Sequence, residues 1–277
     1  MSAHMPTISL GPHSVSRLIV GANPVLGISY MGTLMGRFMS EYFSVDNIER
    51  LLLRCQEVGI NTWQTSWHEK IEQSLIRLRD RGRPMHWIFL AYGEHVENPQ
   101  ALAELVARFR PIAILYHGGV ADRLFREGRL EEVHDFIKRV QDLGVLAGTS
   151  AHNPEVIRYA EEKGWNADLY MACFYQLTRT PEEVAREVKG EVPLWGSFLP
   201  GDPERMCAVV REVKRPCLVF KILAGGRRAE TPEQTAASFE YAFRSIKAVD
   251  GVIVGMFPRF RDEPAENAEL TRRYGER

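Results

Sequence analysis

The chain has 277 residues, 45% hydrophobic and 26% charged, which excludes disorder as its general state and supplies enough apolar surface for one large core. Lys and Arg number 35 against 36 Asp and Glu, a net charge of -1, so no global field draws the protein to nucleic acid or an anionic membrane, and a small-molecule substrate is the expected partner. The cysteines Cys55, Cys173, Cys207 and Cys217 form no CxxC pair, no apolar run reaches the roughly 20 residues that span a bilayer, and the N-terminus lacks a basic region followed by an apolar core; a cytoplasmic location is expected.

Leu18-Ile19-Val20-Gly21 is the first strand-like run. A long loop over 23–43 follows, with Tyr30, Met31, Met35, Phe38, Met39 and Tyr42 set among Gly27, Gly32 and Gly36; it reads equally as a lid and as a packing surface, including one for a homo-oligomer. Ser44 caps a helix over 45–57 that stops at Gly59. Residues 61–65 read as a strand and 69–80 as a helix; 86–92 as a strand, and 99–108 as a helix capped by Asn98 and ended by Pro111. A strand over 112–116 precedes a helix over 130–143, whose Leu130, Val133, Phe136, Ile137 and Val140 recur at helical spacing. Strands over 145–149 and 169–175 flank a helix opened by Pro154. The interval 176–216 is long and holds helical patterns at 181–188 and 203–213, with Trp195 between them. A strand over 217–222, a helix over 234–247, a strand over 251–255 and a helix over 264–274 complete eight units. Apolar runs of this length, bounded by Gly and Pro, suit parallel strands covered on both faces. Residues 1–277 therefore read as a single (β/α)8 TIM barrel, with a doubly wound open sheet as the alternative.

Four successive strands end in side chains fit for chemistry: Gln64 to His68, Tyr92 to His95, Tyr116 with His117, and Ser150 to His152. In a parallel barrel these ends meet at one mouth, where active sites of this architecture lie. His68, Glu94, His117 and His152 offer imidazole and carboxylate donors suited to Zn, Mn, Ni or Fe, and such a divalent metal polarises a carbonyl or activates water. Lys221 interrupts an apolar strand; burying it unpaired is costly, so it is expected to face the mouth as acid, base, imine-forming amine or anion anchor. Lys221, Glu94, His117 and Tyr92 make the expected catalytic set. Asn23, Gln64, Tyr175 and Gln176 are the expected polar substrate contacts, and Trp67 a stacking platform for a sugar or ring. The leading expectation is metal-assisted isomerase, epimerase or lyase chemistry on a sugar-like hydroxy or carbonyl compound.

Ile8-Ser9-Leu10-Gly11 with 15–21, Gly59-Ile60-Asn61-Thr62-Trp63-Gln64-Thr65-Ser66, Gly148-Thr149-Ser150-Ala151-His152, Leu223-Ala224-Gly225-Gly226, and Gly255 with Glu266-Asn267 fall in an order and spacing that resembles the aldo/keto reductase superfamily. The resemblance implies a TIM barrel opened by an N-terminal hairpin, and carbonyl reduction by a nicotinamide with a Tyr proton donor tuned by Lys, Asp and a nearby His. At the matching positions this chain keeps the His as His117; the Asp position reads Gln64, the Tyr position falls near Glu69 and the Lys position near Ala91 or Tyr92. Ser150 and Phe220 match cofactor-binding positions, Phe220 where the family stacks a nicotinamide, while Arg259 and Asn267 fall at the phosphate end. Two further readings follow: an NAD(P)-dependent oxidoreductase using Tyr92 or Tyr116 with His117, and a non-catalytic ligand-binding barrel.

Overall fold

Short apolar runs flanked by capped helices leave the backbone one economical arrangement, parallel strands that pair in chain order and close on themselves. The computed structural model describes residues 4–189 and 197–276; Trp195 lies outside them. An antiparallel hairpin of β1 (Thr7–Leu10) and β2 (His13–Ser16) precedes eight parallel strands: β3 (Leu18–Gly21), β4 (Thr62–Thr65), β5 (His86–Ala91), β6 (Ala113–Tyr116), β7 (Leu146–Ala151), β8 (Leu169–Cys173), β9 (Cys217–Phe220) and β10 (Gly251–Gly255). Each pairs with the next, and β10 closes the ring on β3 in a register running from Val252 opposite Leu18 to Gly255 opposite Gly21. The fold is a (β/α)8 TIM barrel, which removes the doubly wound alternative.

The helices are α1 (Thr33–Tyr42), α2 (Val45–Glu57), α3 (Glu69–Asp80), α4 (Glu94–Glu97), α5 (Pro99–Phe109), α6 (Gly118–Arg126), α7 (Glu131–Asp142), α8 (Pro154–Glu162), α9 (Pro181–Val188), α10 (Asp202–Glu212), α11 (Pro232–Ser245) and α12 (Glu263–Tyr274). Where the sequence carries a cap, the start falls where expected: Ser44 accepts from the Asn47 amide, and Asn98 from the Gln100 and Ala101 amides. Three helices have no sequence forecast. α1 starts after Gly32 without a side-chain cap, and α6 opens on Gly118-Gly119, a pair of poor helix formers; α4 is a single short turn. Among the described residues no helix is long and apolar enough to cross a membrane.

Alternation sorts the strands' side chains. Ile19, Ile88, Leu115, Leu169, Met171, Leu218 and Ile253 fill the barrel interior, and Ile8, Leu10 and Val15 of the hairpin plug its lower end. Their neighbours along the strands, such as Val20, Ile114, Ala147, Val219 and Val254, pack in the layer between barrel and helices. Arg17 ties the lower end together, its buried guanidinium donating to the carbonyls of Asp250, Gly275 and Lys247.

Gly148 on β7 faces a tight crossing: a Cβ there would lie 1.8 Å from the Leu169 carbonyl oxygen of β8. Gly148→Ala must force β7 away from β8 and is expected to cost about 2 kcal/mol or more. Gly201→Ala, where nothing lies within 4 Å, is the control and should stay within about 0.5 kcal/mol. Urea denaturation of both variants decides, and equal midpoints would refute the packing argument.

Candidate functional site at the barrel mouth

The interior pattern continues past the strand ends. Two residues beyond Leu115 is His117, two beyond Ser150 is His152, and two beyond Gly21 is Asn23; all three line a cavity of about 740 Å³ at the C-terminal mouth, together with Gln64, Ser150 and Phe220. This volume lies in the range of small-molecule sites, about 300–1,000 Å³. Lys221 also lines the cavity, against the alternation, because its left-handed backbone (φ 61°) ends β9 at Phe220 and redirects the chain. Such a conformation is strained for a side chain bearing a Cβ, and strain of this kind concentrates at functional sites.

Asp122 organises the polar side of the cavity. It is fully buried on α6 and accepts the His152 and Asn153 amides, the Thr178 hydroxyl at 2.8 Å and His152 Nδ1 at 3.0 Å. The carboxylate takes the proton-bearing nitrogen of His152, so the ring's Nε2 carries the lone pair. Burial lowers the His152 pKa and Lys221 adds to this, while the Asp122 hydrogen bond opposes it. Burial chiefly, with His152 and Lys221, pushes the His117 imidazole down to about 4. His117 Nδ1 is buried without a hydrogen-bond partner among the described residues. An orphaned acceptor is less costly than an orphaned N–H, which assigns the His117 proton to Nε2 and makes the ring a neutral donor.

The Lys221 ammonium rests 4.6 Å from the centre of the Phe220 ring and 5.0 Å from that of Tyr30, and no carboxylate pairs with it among the described residues. Tyr30 belongs to the 23–43 segment, which folds over the mouth and carries Met31, Met35 and Met39 into the cavity wall. The segment bends back on itself at two glycines: Gly27 and Gly36 approach so closely that a Cβ on Gly36 would sit 2.6 Å from the Gly27 carbonyl oxygen. Phe38 of α1 packs against Phe257 and Phe260 from the loop after β10. Carboxylates order that loop and the start of α12: Asp262 caps the Ala265 amide, Glu263 accepts the Phe257 amide at 2.6 Å, and Glu266 pairs with Arg261.

The structure gathers His117, His152, Lys221, Ser150, Phe220, Asn23, Gln64 and Asn267 in the lining of one cavity and leaves the other expected residues outside it. His68 is an exposed helix cap whose Nδ1 accepts from the Lys70 amide, and Glu94 is exposed at the start of α4. The expected metal quartet of His68, Glu94, His117 and His152 is therefore corrected: His117 and His152 line the cavity, while His68 caps α3 and Glu94 starts α4 outside it. Among the described residues no three His, Cys, Asp or Glu side chains are grouped to hold a metal ion, so the donors present do not fit one. Tyr92, 47% exposed, sets its ring edge against His117 but does not reach the lining. Trp67 packs on His95 and Phe109, Tyr175 is buried against Phe198, and Arg259 lies over the Tyr42 ring. The Gln176 amide donates to Asp202, which forms a buried ion pair with Arg179. Sequence reasoning missed Asp122 and Thr178. The available signal was an acidic residue among Ala121, Leu124 and Phe125 just after His117-Gly118-Gly119.

No family model and no curated protein sequence matches the chain. Solved structures do. A Gox0644 variant in complex with NADPH superposes with a TM-score of 0.56 at 11% identity, covering 96% of this chain and 88% of that one. An aldo/keto reductase from Brucella melitensis gives 0.53 at 13%, covering 99% and 94%. A dihydropteroate synthase from Xanthomonas albilineans gives 0.51 at 12%, covering 99% and 97%. The barrel is aldo/keto-reductase-like in fold.

The His117 shift makes stability depend on pH. In the unfolded chain the imidazole takes a proton near 6.5, in the folded protein only near 4. Between those values the unfolded state binds more protons, so stability falls as pH drops from 6.5 to 4 and has no His117 slope above that window. The full swing is about 3 kcal/mol, and the lowered His152 adds in the same direction. Urea midpoints from pH 7 to pH 4 should show the fall, and His117→Phe should flatten it; an unchanged slope in the variant would contradict the assignment.

Proposed function

We propose that the barrel mouth is the active site of a small-molecule enzyme that removes and returns a proton on a hydroxy or carbonyl compound, with His152 as the base. The observation that carries this reading is the His152 ring, held at 3.0 Å by the buried Asp122 and set in the cavity lining it shares with Lys221, which has no carboxylate partner among the described residues. A base within a cavity needs a fixed tautomer, an orienting partner and a pKa low enough to be unprotonated at neutral pH, and His152 has all three. Lys221 stabilises negative charge as it develops on the substrate oxygen, and the neutral His117 donates a hydrogen bond to the same region. This is the chemistry of isomerisation or epimerisation, and it uses no metal ligand from the chain. The solved neighbours, barrel enzymes of differing reaction, are consistent with a small-molecule substrate.

A nicotinamide-dependent oxidoreductase is the second reading. The NADPH complex of a structural neighbour supports it, as do Ser150 and Phe220 on the cavity wall. It stands second because a dinucleotide diphosphate needs anion-binding groups. Among the described residues the lining offers Lys221 and Arg261 as its Lys and Arg side chains, Arg261 is engaged by Glu266, and at the α12 N-terminus the Asp262 side chain already accepts the Ala265 amide.

Incubation with a panel of 2-hydroxy aldehydes, ketones and carboxylates in D₂O, followed by proton NMR, reads proton removal directly. Wild type is expected to exchange the hydrogen on carbon 2 of at least one member, and His152→Ala to slow this by about 10²- to 10⁴-fold. Asp122→Asn should slow it too, since an amide offers Nδ1 no ionised acceptor. Exchange that persists in His152→Ala, or no exchange alongside micromolar NADPH affinity in a fluorescence titration, would transfer the mouth to another base or to the second reading.

A further inference from the structure

The cavity wall is chemically divided. Gln64, His117, Ser150, His152 and Lys221 bring polar groups to it from the ends of β4, β6, β7 and β9. Ile28, Met31, Met35, Met39, Phe257 and Phe260 add an apolar group of side chains supplied by the 23–43 segment and the loop after β10. Much of that group is open to water: Ile28 is 45% exposed, Met31 51%, Met35 37% and Phe260 76%. Apolar side chains left uncovered beside a binding cavity mark a surface that a ligand covers, and methionine adapts its shape to the occupant. The charged groups of the lining fix the head of that ligand. Lys221 and Arg261 are balanced by Glu263 and Glu266, and Lys221 is the lining cation without a carboxylate partner among the described residues. The ammonium without a carboxylate partner gives one negative charge its contact, and a lining whose Lys, Arg and Glu charges cancel offers no excess positive charge for a polyanion.

We infer that the site takes an amphipathic monoanion, a 2-hydroxy or 2-oxo carboxylate whose head is bound at Lys221 and whose apolar chain or ring lies along the methionine face of the 23–43 segment. The inference rests on the reading of the mouth as a substrate site and adds the substrate class. A carboxylate with oxygen on the adjacent carbon presents both groups to the same ammonium. The hydrogen on carbon 2 of the hydroxy acid, or on carbon 3 of the oxo acid, then lies toward the polar groups among which His152 stands. Chain length is read by the apolar face, because each methylene drawn from water onto it adds affinity.

The test is calorimetric binding of straight-chain carboxylates from butanoate to octanoate to the full-length protein, with hexanamide as the uncharged analogue of hexanoate. Affinity should rise up to about fourfold per methylene, the gain from burying one CH₂. Hexanamide should bind at least tenfold more weakly than hexanoate. Lys221→Met should lose at least tenfold for octanoate and Lys221→Arg should regain most of it, which separates charge loss from misfolding at this strained position. Met31→Gln with Met35→Gln should flatten the chain-length series while leaving butanoate within twofold. A flat series in wild type, equal binding of hexanoate and hexanamide, or full affinity in Lys221→Met would each overturn the inference. A rising series without deuterium exchange would sink the catalytic reading and leave the ligand class standing; exchange on short sugars with no affinity for octanoate would do the reverse.

Discussion

Parallel closure of β10 onto β3 is the constraint on which the rest of the molecule depends. Once Gly255 pairs with Gly21, eight strands share one direction, and every strand's C-terminal end opens at the same rim. Side-chain alternation then acts as a placement rule, because the residue two beyond the last interior position must stand at the mouth. His117, His152 and Asn23 arrive in one cavity for that reason, although they are far apart in sequence. Gly148 shows how little slack the closure leaves, since β7 and β8 approach where no Cβ fits.

On this frame the buried Asp122 carboxylate joins three elements. It sits on α6, receives the amides that start the turn before α8, and receives the Thr178 hydroxyl from the loop after β8. A carboxylate is costly to bury alone, and the donors around it offset that cost while fixing the His152 ring. The same loop is pinned from its other side by the Arg179 to Asp202 ion pair, both side chains 3% exposed. The result is a buried acceptor that orients the imidazole of a residue lining the cavity. Preorganisation of this kind is what a catalytic base requires.

The 23–43 segment gives the mouth its second character. A barrel rim made only of strand ends would be a polar bowl; this one is roofed on one side by methionine and aromatic side chains held through the Gly27 and Gly36 contact and the packing of Phe38 on Phe257. Tyr30 links the two halves, since its ring lies beside the Lys221 ammonium. Charge and apolar surface therefore meet within one cavity.

Local sequence signals determined most of the elements. Ser44, Asn98, Pro154 and Thr180 start helices where their side chains or fixed backbone angles satisfy the first amides, and the apolar runs became strands within a few residues of their expected limits. His117, His152, Gln64 and Asn23 were legible as mouth residues because alternation is a local property. Lys221 was legible as an anomaly, a cation in an apolar run. Where long-range contact decides, the sequence was silent. Nothing local distinguishes His68, which caps a helix, from His152, which is bound by a carboxylate 30 residues away. Trp67 and Tyr175 carried the right chemistry for a ligand but were drawn into packing against Phe109 and Phe198. Asp122 acquires its role only when α6 is laid across the ends of β7 and β8. A hydrogen bond between distant segments has no signature in either segment alone. The chain by itself thus fixed which residues stand at strand ends, through periodicity; the closed barrel decided which of them face one another, through distance.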